Sequence, residues 1–196
     1  MVEPRTRHNL DSHPGTKLRR VDWSKDIDTV RRLFEQYRQW LADHRDPDPS
    51  AAPEARAGLA EIDQQIAELP GGYGPPRGEI ILAFAQRALV ACSALRELER
   101  SVGEIKRIYV RADHRGPGFG PRITGALLRR ARALGYARVR VDTLPSMTGA
   151  VQFYQEMGFV PIPAYWHHPA PGALFFEFRL GRRKPAPRGT AAGEAK

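Results

Sequence analysis

A single cysteine, Cys92, in 196 residues leaves no partner for an internal disulfide. A lone thiol suits a reducing, cytoplasmic setting rather than a disulfide-stapled scaffold. The six histidines are scattered, only His167 and His168 are neighbours, and no Cys/His set has zinc spacing, so no bound metal is expected. The longest apolar run, near residues 80–85, is far too short to span a bilayer. MVEPRTRHNL lacks the apolar centre of a secretory leader, and no membrane association is expected. Acids are scarce: 22 stand against 31 Lys and Arg, for a net charge of +9. Part of that excess lies in residues 181–196, where five bases and one acid give +4 in a tail rich in Pro, Ala and Gly. Such a tail is expected to be disordered. No RNA-reading motif and no interleaved aromatics accompany the charge, which favours attraction for a small polyanion over nucleic acid.

What the chain does have is concentrated in residues 102–134, VGEIKRIYVRADHRGPGFGPRITGALLRRARAL. Residues 102–111 mix β-branched, aromatic and charged side chains and predict a strand. Arg115-Gly116-Pro117-Gly118-Phe119-Gly120 predicts a tight turn. A helix follows, with Phe119, Ile123, Leu127, Ala131 and Leu134 on one buried stripe. A glycine turn feeding a helix N-terminus is an anion site, because glycine admits a close backbone approach and the free N–H groups point at the guest. Pro117 and Pro121 cannot donate, so other amides must serve. A Walker loop is excluded because no lysine follows the glycines. A dinucleotide fingerprint would need glycine at position 121, which is Pro121, although Asp142 does stand at the end of the next strand.

The pattern that fits is R-x-x-G-x-G, carried by Arg115, Gly118 and Gly120. It resembles the acyl-CoA-binding signature of the GNAT superfamily of N-acyltransferases. Glu104 lies eleven residues before Arg115, where several family members place a general base. A second strand, ARVRVDT (137–143), and then AVQFYQEMGF (150–159) match the order of the family's later motifs. LPSMTGA resembles a bacterial branch whose acceptors are mostly unassigned.

The remaining elements are read from pattern. LRRV (18–21) predicts a first strand, and Ser24 or Asp26 caps a helix over about 26–43. Its apolar stripe is Ile27, Val30, Leu33, Phe34, Tyr37, Trp40 and Leu41. A second helix covers about 54–69, strands cover 79–85 and 88–98, and a closing pair covers about 159–163 and 173–180. The expectation is an α/β (α+β) fold. One GNAT-like domain (17–181) has a mixed central sheet of six to seven strands flanked by about four helices. A flexible N-terminus (1–16) and a disordered basic tail (182–196) flank it. Strand 137–143 must run parallel to 102–111 because a crossover helix joins them.

The resemblance implies an N-acetyltransferase that passes an acetyl group from acetyl-CoA directly to a primary amine, favouring a small-molecule acceptor. A protein or peptide acceptor, and a non-catalytic acyl-CoA-binding or RNA-associated module, stay open as alternatives. Arg115, Gly116, Gly118, Phe119 and Gly120 would hold the pyrophosphate, and Ile108, Tyr109 and Val110 the pantetheine arm. The Ile108 N–H would polarise the thioester carbonyl. Tyr154 would protonate the leaving thiolate; it adjoins Phe153, so one ring should face the core and one the cofactor. The Asn that many relatives place before this helix is replaced by Met147, beside Ser146. Glu104 is either a base or an ion-pair partner of Lys106. Strict alternation would put Glu104, Lys106, Ile108 and Val110 on one face, and Arg107 with Tyr109 on the other. The acceptor would meet Arg107, Tyr165 and Trp166, with Arg107 holding a carboxylate. Many such enzymes dimerise, which leaves a homodimer open. Cys92, in an apolar run without a motif-linked histidine, reads as a buried structural thiol.

Overall fold

The computed structural model describes residues 16–43, 52–115, 118–168 and 172–181. The expectations for 1–16 and 182–196 lie outside these residues, except for Thr16, which opens the first strand. In chain order the elements are β1 (Thr16–Arg20), α1 (Ile27–Asp43), α2 (Ala52–Ala67), β2 (Glu79–Ala85), β3 (Ala88–Glu99) and β4 (Val102–Val110). They continue as α3 (Phe119–Ala133), β5 (Arg138–Thr143), α4 (Thr148–Glu156), β6 (Val160–Ile162) and β7 (Leu174–Arg179). The seven strands form one sheet in the order β1-β2-β3-β4-β5-β7-β6. Only β4 and β5 run parallel, as their crossover helix requires.

Each face of the sheet buries its own apolar cluster. On one face α3 and α4 cover the sheet with Ile123, Leu127, Ala131 and Tyr154, packed on Leu95, Ile105, Val139 and Val141. On the other, α1 and α2 contribute Val30, Phe34, Ile62 and Ile66, packed on Ile80, Leu82, Cys92 and Ala94. The stripe of α1 divides by position. Val30, Leu33, Phe34 and Leu41 are buried, while Tyr37 and Trp40 are only partly covered at its edge. Of the two expected caps, the Asp26 carboxylate accepts from the Asp22 N–H and from both arms of the Arg19 guanidinium, which ties β1 to the start of α1. At Gly103 of β4, which pairs with Glu97 of β3, there is little room for a side chain. A Cβ there would lie 2.9 Å from Leu95 Cδ1 and 3.2 Å from the Tyr136 ring.

Candidate active site

Strands β4 and β5 pair only over Val102–Glu104 and Arg138–Arg140, then separate. The gap opens into a cavity of about 710 Å³. Its walls are Tyr37 and Trp40 of α1, Ile108, Tyr109 and Val110 of β4, Gly120 at the start of α3, Asp142 of β5, and Phe153 and Tyr154 of α4. Trp166 and His168, from the connection between β6 and β7, border it as well. The partly covered end of the α1 stripe is therefore a cavity wall.

The strict alternation expected along β4 fails at one residue. Cys92 pairs with Tyr109 but Ala94 pairs with Lys106, so Ser93 alone stands opposite Arg107 and Ile108. This is a β-bulge, and Arg107 takes φ +58° to make it. Ile105 packs in the α3–α4 cluster, which turns Glu104 and Lys106 the other way. After the bulge Ile108 and Val110 pack with the α3–α4 cluster and Tyr109 with the α1–α2 cluster. Ile108 and Val110 thus lie opposite Glu104 and Lys106, not beside them. Arg107 shares the α1–α2 side with Lys106.

At the glycine turn, Gly118 has φ +123° and its carbonyl accepts the Arg122 N–H. Only glycine adopts that φ without strain. Phe119 and Gly120 open α3, so their N–H groups have no partner within the helix. Gly116 lies outside the described residues. Arg115 borders the cavity with its Nε donating to the Val110 carbonyl at 3.2 Å and its guanidinium 4.7 Å from the Trp40 ring centroid. Among the described residues the buried Arg122 Nη1, in the first turn of α3, has no hydrogen-bond partner.

A charged network crosses the gap below the cavity. Glu104 is fully buried. It accepts from Arg96 Nε at 2.6 Å and Tyr165 Oη at 2.8 Å, with Lys106 Nζ 3.4 Å away. Glu104 is not among the cavity's lining residues, whereas Asp142 is. Asp142 Oδ2 accepts from Lys106 Nζ at 2.7 Å and Trp166 Nε1 at 3.0 Å. Burial opposes the charge on both Asp142 and Lys106. Their mutual attraction wins, holding the carboxyl below its ordinary range and raising the ammonium above its own. Tyr165 is not among the residues lining the cavity; its hydroxyl is bonded to Glu104. Burial, then that carboxylate, pushes its phenol far up. Trp166 lies with its ring centroid 4.7 Å from Lys106 Nζ.

Tyr154 and Phe153 both border the cavity and both pack in the α3–α4 cluster, so the expected division into one core ring and one cofactor ring does not occur. Tyr154 is the more buried, wedged against Phe159 and Phe176. Burial drives its phenol well above the usual range and keeps the proton on. Ser146 and Met147 line the cavity, and the Met147 sulfur lies 3.7 Å from Thr143 Oγ1. Cys92 is buried in the α1–α2 cluster, away from the cavity lining, with its thiol pushed up to about 12 by burial. Among the described residues no group of three His, Cys, Asp or Glu side chains is placed to hold a metal ion. Nor is any helix among them long and apolar enough to cross a membrane.

Sequence reasoning passed over Asp142 as a site residue, and also Gln65 and Glu61 of α2. Asp142 had a signal. In RVRVDT, polar Arg138, Arg140 and Asp142 alternate with buried Val139 and Val141, which is unusual for an interior strand. Gln65 had none, since a polar residue on a helix reads as solvent-facing.

Comparison with known proteins accords with this architecture. The family model described as the acetyltransferase (GNAT) family matches residues 28–159. An uncharacterised N-acetyltransferase from Schizosaccharomyces pombe is 28% identical over 164 residues, spanning 83% of this chain and 93% of the relative. Among solved structures, the PaiA N-acetyltransferase of Thermoplasma acidophilum, in complex with coenzyme A, superposes with a TM-score of 0.62. It is 13% identical, over 84% of this chain and 98% of that one. YncA of Salmonella typhimurium, solved with acetyl-CoA, gives a TM-score of 0.57 at 15% identity, over 90% and 99%.

Proposed function

Because this chain belongs to the GNAT acetyltransferase family, we propose that it transfers the acetyl group of acetyl-CoA directly to the primary amine of a small cytoplasmic molecule. The observation that carries this reading is the opening between β4 and β5, with a glycine-led helix N-terminus at one end and buried polar groups at the other. The orphaned Arg122 Nη1 fits an anionic guest at that N-terminus. The LPSMTGA resemblance to a bacterial branch rests on that segment alone.

Acetyl-CoA supplies an activated acetyl thioester. Arg115, Arg122 and the N–H groups of Gly118, Phe119 and Gly120 hold its pyrophosphate, with Gly116 as a further donor. Ile108, Tyr109 and Val110 border the pantetheine path, where bonding to β5 has already ceased. Tyr154 is protonated at rest; it hands its proton to the departing thiolate and recovers one from the acceptor nitrogen as the amide forms. Burial of Glu104 among Arg96, Lys106 and Tyr165 supports the ion-pair role over that of base. Asp142, held ionised by Lys106, is the carboxylate that attracts the incoming ammonium at this end, and its proton leaves through water. Arg107 and Trp166 touch the acceptor directly. Tyr165 acts by fixing Glu104.

Calorimetry and thermal shift with acetyl-CoA, CoA, NADH and NADPH, on wild type and Gly118→Trp, test the reading. A ligand that binds only the folded state raises the apparent stability. Selective stabilisation by acetyl-CoA, lost in the variant, and thiol release on adding amines are expected. Stabilisation by a nicotinamide cofactor alone overturns it.

A further inference from the structure

Arg107 is 8% exposed and borders the cavity, yet among the described residues no carboxylate stands within ion-pair distance of it. Its neighbours fix the guanidinium without neutralising it. Nη2 donates to Gln65 Oε1 at 2.6 Å, and the guanidinium carbon lies 5.5 Å from the Tyr37 ring centroid. Among the described residues Nε has no hydrogen-bond partner. Glu61 also borders the cavity, but its carboxylate accepts from the far end of the same Gln65 amide at 2.7 Å, so the amide stands between the two charges.

A buried cation with an idle donor is costly, and so is a long side chain at positive φ. The bulge that imposes this backbone also sets Arg107 at the cavity wall. Gln65 Oε1 does not rely on Arg107 alone, because Tyr73 Oη is a second donor to it. Resting on the acetyl-transfer reading above, we propose that Arg107 is a specificity residue. On this reading the acceptor is a primary amine that also bears a carboxylate, seated on Arg107 Nε and Nη2. One uncommitted cation matches a monoanion. Lys106 is taken by Asp142 and Glu104, and Arg115 lies against Trp40 and the Val110 carbonyl at the glycine-turn end, so among the described residues lining the cavity no other lysine or arginine stands beside Arg107 to match a dianionic phosphate. The amine end then points to the Asp142 and Tyr154 side of the cavity.

The test uses matched pairs: each of the common amino acids against its α-carboxamide, at saturating acetyl-CoA, followed by thiol release. The acid of an accepted pair should exceed its amide in kcat/KM by about tenfold or more, chiefly through KM. Arg107→Gln should bring that ratio near one, with acetyl-CoA binding by calorimetry unchanged. Arg107→Lys should keep part of the preference. Equal use of acid and amide by the wild type, or a ratio untouched in a variant that still binds acetyl-CoA, overturns the proposal. A second measurement needs no variant. The wild-type protein loaded with CoA should bind an N-acetylated amino acid and not its amide, and equal binding also overturns the proposal. Acetyl-CoA binding with no turnover of any amine would defeat the acetyl-transfer reading instead, and the binding pair would still judge the carboxylate seat.

Discussion

Replacing Glu104 by Gln separates its two roles. The carboxylate is fully buried, with Arg96 at 2.6 Å, Lys106 at 3.4 Å and the Tyr165 hydroxyl at 2.8 Å. Removing one partner of a buried pair costs about 3–5 kcal/mol when the other charge is stranded. Here the stranding is partial. Lys106 keeps Asp142 at 2.7 Å, the Arg96 side chain is 27% exposed, and the amide oxygen can still accept. The expected loss is therefore about 2–3 kcal/mol, below that range. For a chain of this size it lowers Tm by roughly 5–10 °C. If the ion pair is the role, kcat at saturating acetyl-CoA falls less than about tenfold and the acidic limb of its pH profile stays in place. Chemical denaturation and kcat from pH 5 to 9 decide. Unchanged stability, with kcat down more than about a hundredfold and the acidic limb displaced, would refute the reasoning and restore Glu104 as the base.

Tyr154→Phe should cut kcat by about tenfold to a hundredfold with acetyl-CoA affinity unchanged, because it removes a proton donor and leaves the packed ring in place. Equal loss in binding and turnover would show a packing role instead. Asp142 titrates below the ordinary carboxylate range in the folded chain, so its ion pair stabilises at neutral pH, and that contribution is lost as pH falls through the lowered value. Wild type should therefore lose stability more steeply than Asp142→Asn below about pH 4, as urea denaturation would read. Parallel curves would refute this.

Most of the fold was legible because periodicity writes it locally. The stripe from Phe119 to Leu134 marks α3, and the mixed strand before it marks β4. The parallel pairing of β4 and β5 followed from the crossover between them. The bulge at Arg107 was not legible, because a register slip between β3 and β4 leaves no mark in side-chain type. That slip reassigned every side chain after it, including Ile108 and Val110. The charged network was half legible. Lys106 beside Glu104 was expected, but its nearer partner is Asp142, and Arg96 of β3 is nearer still to Glu104. Those pairings depend on which strands are neighbours, and single-strand alternation cannot say how far a side chain reaches across a gap.

Tyr165 and Trp166 have a consequence beyond their own bonds. Each reaches an acid on a different strand, Glu104 on β4 and Asp142 on β5, while Lys106 spans the two acids. Just past the last β4–β5 rung, side chains have replaced the backbone ladder as a strut. The separation of the two strands is thus braced by the chain's own side chains. On the acetyl-transfer reading proposed above, the thioester arm enters between strands already braced in this way, so its association rate should follow diffusion and charge steering and should fall as salt is raised.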